Sequence, residues 1–435
     1  MHTFNGFHDN TAVNRYTNQC IVLKVERIDR PPVPGDKALV CVQNWDGSEA
    51  EQVGETDAWN FPQGSRQHWV SEQSIVYNRS DSGSWIGVKL NLKDRSELIL
   101  EKPVYAVNLA LNAGYGINYA RLHRLGGYGY VGIEDHTASN FAPENDGIWN
   151  IDLTTGKAQL MLSLKAISAA QGITPVPQHT HHYVTHLSFS PDSSRLAFLH
   201  RFWLSDGGIQ TRLMYADPDG SNLQCLLEGF LSHYDWTDEN RIFIWARKNS
   251  VLQRGRSHWI FHLPGIKQSV PVIKPIVKAI LGKKIKSGST FKIVSVVDKA
   301  YADFGEELFA GDGHPSYRPT DRRTILVDNY PDKAGWRRLM LCPVSKPKII
   351  ELGRYQQLQA EPDSSQLAKA TLGVDPLVLK AFTEKHFAYS RSGIHCDLHP
   401  HWRWDGKEVR FDSNHEGHRD VYTINVENIL DRDNG

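Results

Sequence analysis

The sequence predicts an all-β fold in which one strand–turn–strand unit recurs along the chain. Three segments share the order histidine, short strand, polar turn and alternating strand: residues 186–201, 314–329 and 399–414. Weaker copies begin near residues 67, 104 and 233, and a strand-like stretch over residues 20–28 completes a seventh unit. Small antiparallel sheets that repeat in this way are the signature of a β-propeller. We therefore predict a seven-bladed β-propeller with short helical insertions.

The chain is predicted to form one domain, residues 1–435. A chain of this length buries roughly three quarters of its unfolded surface. A seven-bladed ring would use the whole length of the chain for one domain. The units are unevenly spaced, which indicates insertions at about residues 250–312 and 356–392. Within the first, residues 270–286 mix Ile, Val and Leu with lysines at rough helical spacing. A solvated segment with one apolar face on the propeller is favoured there over a lid, a partner-docking helix or a membrane-surface element.

The first 58 residues predict how the ring closes. They read as an irregular start followed by two strands, residues 20–28 and 38–43, around a proline-rich turn. We expect a terminal strand to join the last blade, because this arrangement removes open sheet edges.

Composition excludes several classes of protein. Lys and Arg together number 49, and Asp and Glu also number 49, so the formal net charge of zero gives no support to a general nucleic-acid binder. The 12 Trp and 16 Tyr suit both blade cores and sugar-stacking surfaces. Five scattered cysteines, an odd number, argue against a disulfide framework.

The sequence as written predicts a cytoplasmic protein. Its first residues contain no basic start and no apolar run, so no signal peptide is visible. A periplasmic or secreted location follows if a leader has been removed. No apolar stretch approaches the roughly 20 residues that a membrane span requires. We expect a monomer.

A metal site is predicted near the end of the chain. Cys396, His399 and His401 lie within six residues, and a thiolate with two imidazoles is a usual way to hold zinc. His314 begins the equivalent strand of another unit, so the rotation of the propeller brings it to the same channel end. We predict these four residues as the ligands of Zn²⁺, with Asp397 or His233 as alternatives for one of them. Histidines that begin propeller strands also serve in hydrogen-bond networks, which is the competing interpretation.

Two further stretches are candidates for a functional surface. Residues 118–130 gather His123 and Tyr128 around three glycines, and glycines let a loop approach a ligand closely. A tight turn with aromatic packing is the alternative. Residues 178–186 hold four histidines around Tyr183. Histidines at this density favour a polar functional surface, and a plain loop is the alternative.

Several short sequence motifs resemble those of the β-propeller polysaccharide lyases. They occupy residues 121–130, 232–236, 311–316, 396–400 and 412–417. The resemblance is to the ulvan lyases and, more distantly, to the oligogalacturonate lyases, and it covers about residues 59–422. In the oligogalacturonate lyases a distal histidine and a Gln-x-x-His-x-His run hold the metal, whereas this chain has Cys-x-x-His-x-His. The softer thiolate changes the expected metal from manganese to zinc, and four protein ligands make that zinc structural.

The resemblance implies β-elimination at a uronic acid, which requires a group that neutralises the carboxylate, a base and an acid. Arg201 and Arg247 end equivalent strands, and an arginine fork pairs a carboxylate through two hydrogen bonds. We predict Arg201 as catalytic and Arg247 as substrate-binding, with ordinary blade salt bridges as the alternative. Tyr183 resembles the catalytic tyrosine of the ulvan lyases, and His123 resembles their active-site histidine.

The second histidine of that family is absent at the matching spacing, where Asn145 lies nearby. This departure leaves open whether acid and base are two residues or Tyr183 alone. Arg121, Tyr128 and His233 are predicted to contact the sugar, with metal binding as the alternative role of His233. The implied partner is an anionic, uronic-acid-containing oligo- or polysaccharide.

Two other functions compete with the lyase. A non-catalytic propeller that binds glycans or scaffolds partners is the first alternative, because fold does not fix function. A hydrolase is the weaker one, since the sequence contains no clear nucleophile elbow and no isolated carboxylate pair.

Overall fold

The computed structural model describes residues 1–172, 176–177, 179–204, 208–247, 289–305, 307–309 and 311–433. These residues form seven antiparallel sheets, each built from strands that are consecutive in the chain. Six sheets have four strands and the last has three. The first strands of blades 3 to 7 contact one another in succession, so they line a central channel. The prediction of a seven-bladed β-propeller is confirmed.

The strands of the first four blades lie in the first half of the chain. Blade 1 contains β1 (His2–Phe4), β2 (Gln19–Val25), β3 (Ala38–Asn44) and β4 (Glu51–Thr56). Blade 2 contains β5 (His68–Trp69), β6 (Ser74–Asp81), β7 (Ser84–Asn91) and β8 (Glu97–Leu100). Blade 3 contains β9 (Val104–Asn108), β10 (Ala113–Gly116), β11 (Gly147–Asp152) and β12 (Ala158–Ser163). Blade 4 contains β13 (His182–Phe189), β14 (Leu196–Trp203), β15 (Ile209–Ala216) and β16 (Gln224–Gly229).

Three blades complete the ring. Blade 5 contains β17 (Leu231–Trp236), β18 (Arg241–Arg247), β19 (Ser289–Ser295) and β20 (Tyr301–Phe304). Blade 6 contains β21 (Ser316–Tyr317), β22 (Thr324–Asp328), β23 (Trp336–Pro343) and β24 (Ile350–Gln356). Blade 7 contains β25 (His401–Trp402), β26 (Glu408–Ser413) and β27 (Asp420–Asn425).

Six helices are found in the described part of the chain. They are α1 (Tyr119–Gly126), α2 (Leu164–Ala169), α3 (Leu367–Ala370), α4 (Pro376–Lys380), α5 (Glu384–Arg391) and α6 (Glu427–Asp433). The second predicted insertion thus contains α3 to α5, between blades 6 and 7. No helix among these is long and apolar enough to cross a membrane. All five cysteines are free thiols.

The predicted first insertion is too long. Strands β19 and β20 fall inside residues 250–312, yet they pair with β18 as the outer half of blade 5. The lysine-rich stretch at residues 270–286 lies outside the described residues. These outer strands were not predicted, because they lack the motif of histidine, short strand, polar turn and second strand that marks the inner strands.

Blade strands bury both faces, because each sheet packs between two neighbours. All five residues of β22 are buried. Between blades 4 and 5, Leu213, Trp236 and Ile244 belong to one buried cluster.

The predicted joining of a terminal strand to the last blade is wrong for sheet pairing, although the Thr3 amide of β1 donates to the Arg419 carbonyl at 2.9 Å. β1 pairs with β2 in its own blade, and blade 7 keeps three strands. Polar contacts join blades 1 and 7 instead. The Asp412 carboxylate accepts hydrogen bonds of 2.9 Å from both the backbone and side-chain amides of Asn5, and Arg410 donates to the Trp45 carbonyl at 2.8 Å.

A short stretch after β1 crosses the central channel, and we call residues 5–12 the channel-crossing segment. Gly6 within it has a φ of 90°, and a side chain there would lie 3.2 Å from the Gln63 carbonyl oxygen, so only glycine fits. The Thr11 amide donates to the His68 ring at 3.1 Å, and the Trp69 amide donates to the Thr11 carbonyl at 2.9 Å. The segment therefore reaches from blade 1 to blade 2.

Candidate active site at the channel mouth

Four histidines come from the inner strands of four successive blades. His186 and His233 lie where the pairing of β13 and β17 is interrupted by β-bulges. His314 and His399 lie just before β21 and β25. Bulges re-aim side chains relative to the regular pleat, and His186 and His399 also have left-handed φ values of 55° and 40°. Local irregularity thus turns these imidazoles toward the channel.

Phe7 of the channel-crossing segment occupies the centre of this group. Its ring centroid lies 5.1 Å from that of His186 and 5.2 Å from that of His399. The rings of His233 and His314 are each 6.0 Å away. The phenyl ring is almost fully buried, so the segment closes the channel at the level of the histidines.

Three side chains could hold a metal ion. The ligand atoms of His314, Asp397 and His399 all lie within 4.8 Å of one another. Nδ1 of His314 meets Asp328 Oδ1 at 2.9 Å, which leaves Nε2 available. Nδ1 of His399 is buried and has no hydrogen-bond partner among the described residues. A carboxylate behind a ligating imidazole is the usual second partner of such a ligand, so this group fits a divalent metal.

The predicted ligands Cys396 and His401 are not part of this group. Burial raises the pKa of the Cys396 thiol to about 12. Burial, assisted by Arg410, lowers the pKa of His401 to about 3. In an extended strand, side chains two residues apart share a face, but the left-handed backbone of His399 interrupts this alternation. The structure therefore joins two of the four predicted ligands with Asp397, one of the alternatives.

His233 lies beside the possible metal ligands. Its ring centroid is 4.2 Å from that of His314. Nδ1 meets Asp312 Oδ1 at 3.2 Å and Ser232 Oγ at 3.0 Å. These contacts fix the ring orientation through Nδ1, and no hydrogen bond to Nε2 is found among the described residues.

Tyr183 and Arg201 are direct cross-strand neighbours on β13 and β14. The Arg201 guanidinium donates to the Tyr128 hydroxyl at 2.9 Å, and the two phenols and the guanidinium form one group. The Tyr183 hydroxyl is buried and makes no hydrogen bond of good geometry among the described residues. Burial and the neighbouring Tyr128 phenol raise the pKa of Tyr183 well above its ordinary value, against the opposing effect of Arg201.

Arg391, which the sequence analysis did not single out, completes the group. It ends α5, donates to the Gly127 carbonyl at 2.7 Å and lies 5.7 Å from the Tyr128 ring centroid. Within the part of the chain described, neither Arg391 nor Arg201 forms an ion pair with a carboxylate. The insertion that carries Arg391 has no counterpart in the other units, so no repeat pointed to it.

We call the assembled group the channel-mouth cluster. Its members are Tyr128, Tyr183, Arg201, His233, His314, Arg391, Asp397 and His399. Arg391 interacts electrostatically with Tyr128, Tyr183 and Asp397, so it links the two halves of the cluster.

Three predicted residues are not members of the cluster, although His123 lines the same small cavity as Tyr128 and Arg391. Nε2 of His123 meets the Leu372 carbonyl at 3.0 Å, and the ring lines a cavity of only about 20 Å³. Arg121 is buried, and its guanidinium donates to the carbonyls of His182 at 2.6 Å and Phe141 at 2.7 Å. It thereby ties α1 to blade 4.

Arg247 differs from Arg201 despite its equivalent place on a blade. It is exposed, and its guanidinium lies 4.3 Å from the ring centroid of Phe230. The structure does not bring it to the cluster.

The fold and this mouth define a β-propeller with a polar, arginine-containing channel end. No family model matches the chain, and no curated protein matches it. Solved structures do. The oligogalacturonate lyase of Vibrio parahaemolyticus is 12% identical, with a TM-score of 0.55 over 98% of this chain and 91% of that chain.

Two further solved structures extend the comparison. An oligogalacturonate lyase in complex with manganese is 13% identical, with a TM-score of 0.55 over 98% of this chain and 90% of that chain. The tricorn protease is 11% identical, with a TM-score of 0.46 over 96% of this chain and 35% of that chain. Identities this low establish the likeness of the fold alone. The closer resemblance to ulvan lyases stays a prediction.

Proposed function

We propose that this protein is a lyase that cleaves uronic-acid-containing oligo- or polysaccharides by β-elimination. The observation that carries the proposal is the placement of Arg201. This half-buried guanidinium has no carboxylate partner among the described residues, and it lies opposite the phenol of Tyr183. A uronate would supply the missing carboxylate.

Arg201 has the first role, which is to neutralise the substrate carboxylate. Neutralisation makes the C5 proton acidic, because negative charge develops on the carboxylate as the proton leaves. Nη1 of the guanidinium donates to the Tyr128 hydroxyl at 2.9 Å and Nη2 to the Leu231 carbonyl at 3.5 Å. The five N–H groups of the planar fork include further donors for an anion. Arg391 adds a second positive charge at the same mouth and suits the carboxylate of a neighbouring sugar unit.

His233 and Tyr183 are assigned as base and acid. His233 is oriented by Asp312 through Nδ1, so Nε2 is the free basic atom. The raised pKa of Tyr183 keeps its hydroxyl protonated at neutral pH, which suits a donor to the leaving O4 better than a base. This assignment replaces the predicted His123, whose ring nitrogen already meets the Leu372 carbonyl.

His314, Asp397 and His399 would hold a divalent metal next to these groups. A bound cation would supply additional positive charge for the substrate carboxylate. Two imidazoles and a carboxylate suit zinc and manganese alike, whereas the predicted thiolate favoured zinc. Three protein donors also leave coordination positions open, in contrast to the closed structural site that the sequence predicted.

The test is a time-dependent rise in ultraviolet absorbance, which reports the unsaturated uronate product. Pectic, ulvan and glycosaminoglycan fragments form the panel, with metal-replete protein. We expect a rise on at least one substrate that Tyr183→Phe and Arg201→Ala each abolish. Absence of a rise on every substrate, with the fold intact, would instead support a propeller that binds glycans or scaffolds partners without cleaving them.

A further inference from the structure

A second cavity opens between blades 2 and 3, outside the channel-mouth cluster. It has a volume of about 190 Å³, far more than the roughly 10–15 Å³ that admits one water molecule. Its wall contains two tryptophans, Trp85 and Trp149, and one lysine, Lys102. We call it the blade 2–3 cavity.

The side chains of this cavity are those that bind sugar rings. The Trp149 indole is half-buried, and the Lys102 ammonium lies 4.4 Å from its ring centroid. Lys102 forms no ion pair with a carboxylate within the described part of the chain. Glu134 and Asn145, both exposed, add an acceptor and an amide to the rim. A sugar ring has apolar C–H faces and hydroxyl groups at its edge, so it fits such a mixture of indole faces and polar groups.

A buried donor in the same wall also lacks a partner. The indole N–H of Trp85 meets no acceptor among the described residues, although the side chain is only 8% exposed. An unsatisfied buried donor is costly.

The cavity opens on the same face of the propeller as the channel-mouth cluster. Its wall comes from the turn between β6 and β7, the link between β8 and β9, and the segment between β10 and β11. Because neighbouring strands are antiparallel, these connections all emerge at the end where each inner strand begins. Tyr183 stands at the beginning of the inner strand β13.

Helix α1 connects the two places along the chain. Tyr119 and Ala120, at its start, line the cavity, and Tyr128 of the cluster follows its end. The chain folds back after the helix, because a side chain at Gly129 would lie 2.2 Å from the Tyr119 carbonyl oxygen. The residue next to Tyr128 therefore lies beside a residue that lines the cavity, and a glycan of several units bound at the cluster would extend toward it.

From these observations we propose that the blade 2–3 cavity is a distal subsite that binds one sugar ring of the glycan chain. The class of ligand rests on the proposed function, whereas the location rests on Trp85, Lys102 and Trp149. The subsite adds affinity for longer chains and takes no part in proton transfer.

The experiment measures equilibrium binding and cleavage separately. Pectic, ulvan and glycosaminoglycan oligosaccharides are titrated by calorimetry against Tyr183→Phe protein, which is not expected to cleave them. Trp149→Ala and Lys102→Met are then added to this background. Each is expected to weaken binding of the longer oligosaccharides about ten-fold, the loss expected when an aromatic face is removed. Lys102→Met keeps the apolar stem of the side chain and removes only its charge. It therefore still tests the subsite if Trp149→Ala fails to fold.

Trp404→Ala is the matched control. Trp404 is 47% exposed and lies in the turn between β25 and β26, which opens on the opposite face. We expect this variant to bind as the background does.

Each result bears on the subsite and on the lyase differently. Binding that depends on Trp149 and Lys102 but not on Trp404 supports the subsite, even if no glycan is cleaved. If a glycan is cleaved but its binding is unchanged in Trp149→Ala and Lys102→Met, the subsite proposal is overturned and the lyase proposal is supported. Binding of no oligosaccharide by folded protein overturns the subsite as well.

Discussion

Replacement of Arg201 by lysine tests the proposed chemistry most directly. The substitution keeps the positive charge but removes the planar fork that pairs a carboxylate through two hydrogen bonds. One arm of that fork is anchored, since it donates to the Tyr128 hydroxyl at 2.9 Å. A lysine ammonium cannot hold this hydroxyl and the substrate in the same geometry.

The expected loss follows from the bond that disappears. A hydrogen bond to a charged group contributes about 1.5–3 kcal/mol, and each 1.36 kcal/mol changes a rate ten-fold. Arg201→Lys is therefore expected to lower kcat/KM by about 10- to 150-fold. Arg201→Ala, which also removes the charge beside Tyr183, is expected to lower it further.

Arg247→Lys is the matched control, because Arg247 holds the equivalent place on blade 5 but lies exposed over Phe230. The assay is the initial rate of the ultraviolet absorbance rise on the best substrate of the panel. Circular dichroism and the thermal midpoint confirm that each variant is folded. A kcat/KM of Arg201→Lys within about two-fold of the parent protein, matching Arg247→Lys, would refute the carboxylate-pairing role.

Three further predictions concern the metal, the channel and pH. Asp397→Asn is expected to weaken binding of Zn²⁺ or Mn²⁺ at least ten-fold by calorimetry, whereas Cys396→Ser is expected to bind normally; the reverse pattern would restore the ligand set predicted from sequence. Phe7→Ala is expected to lower the free energy of unfolding by about 3–5 kcal/mol in denaturant titrations, and an unchanged midpoint would contradict its central placement. His68 is neutral in the fold because burial, and then Arg66, lower its pKa to about 3. The unfolded chain takes up that proton below about pH 6.5, so stability falls with acidity, by about 2 kcal/mol at pH 5, and a pH profile of His68→Gln with the same slope would disprove this.

The fold was largely predictable, because a histidine followed by a strand, a polar turn and a second strand marks the inner half of three blades, and weaker copies mark three others. Residues 186–201, 314–329 and 399–414 correspond to the first two strands of blades 4, 6 and 7. The outer strands β19 and β20 carry no such phrase and follow a long gap, so they were assigned to an insertion. Ring closure was mispredicted because β1 already has a partner in β2, and the chain beyond it enters the channel.

The arrangement of the candidate site was predictable only in part. Tyr183 was singled out by resemblance and Arg201 by its place on a strand, and they lie opposite each other on β13 and β14, before the bulge that follows Thr185. The choice between Cys396, His401 and Asp397 depends on the left-handed φ of His399, which no pattern of residue types specifies. The position of Arg391 near Tyr128 could not be predicted from the repeats, because it depends on how a non-repeating insertion folds against residues 127 and 128.

The channel-crossing segment has a consequence for the order in which the site is made. Phe7 is synthesised early, yet its partner His399 follows about 390 residues later. At about 5–20 residues per second, this interval lasts roughly 20–80 s. During this interval the ring of Phe7 and the inner strands of the first blades therefore lack their final neighbours. Any function that needs the whole histidine group begins only after the last blade has emerged, and a chain that ends prematurely cannot assemble it.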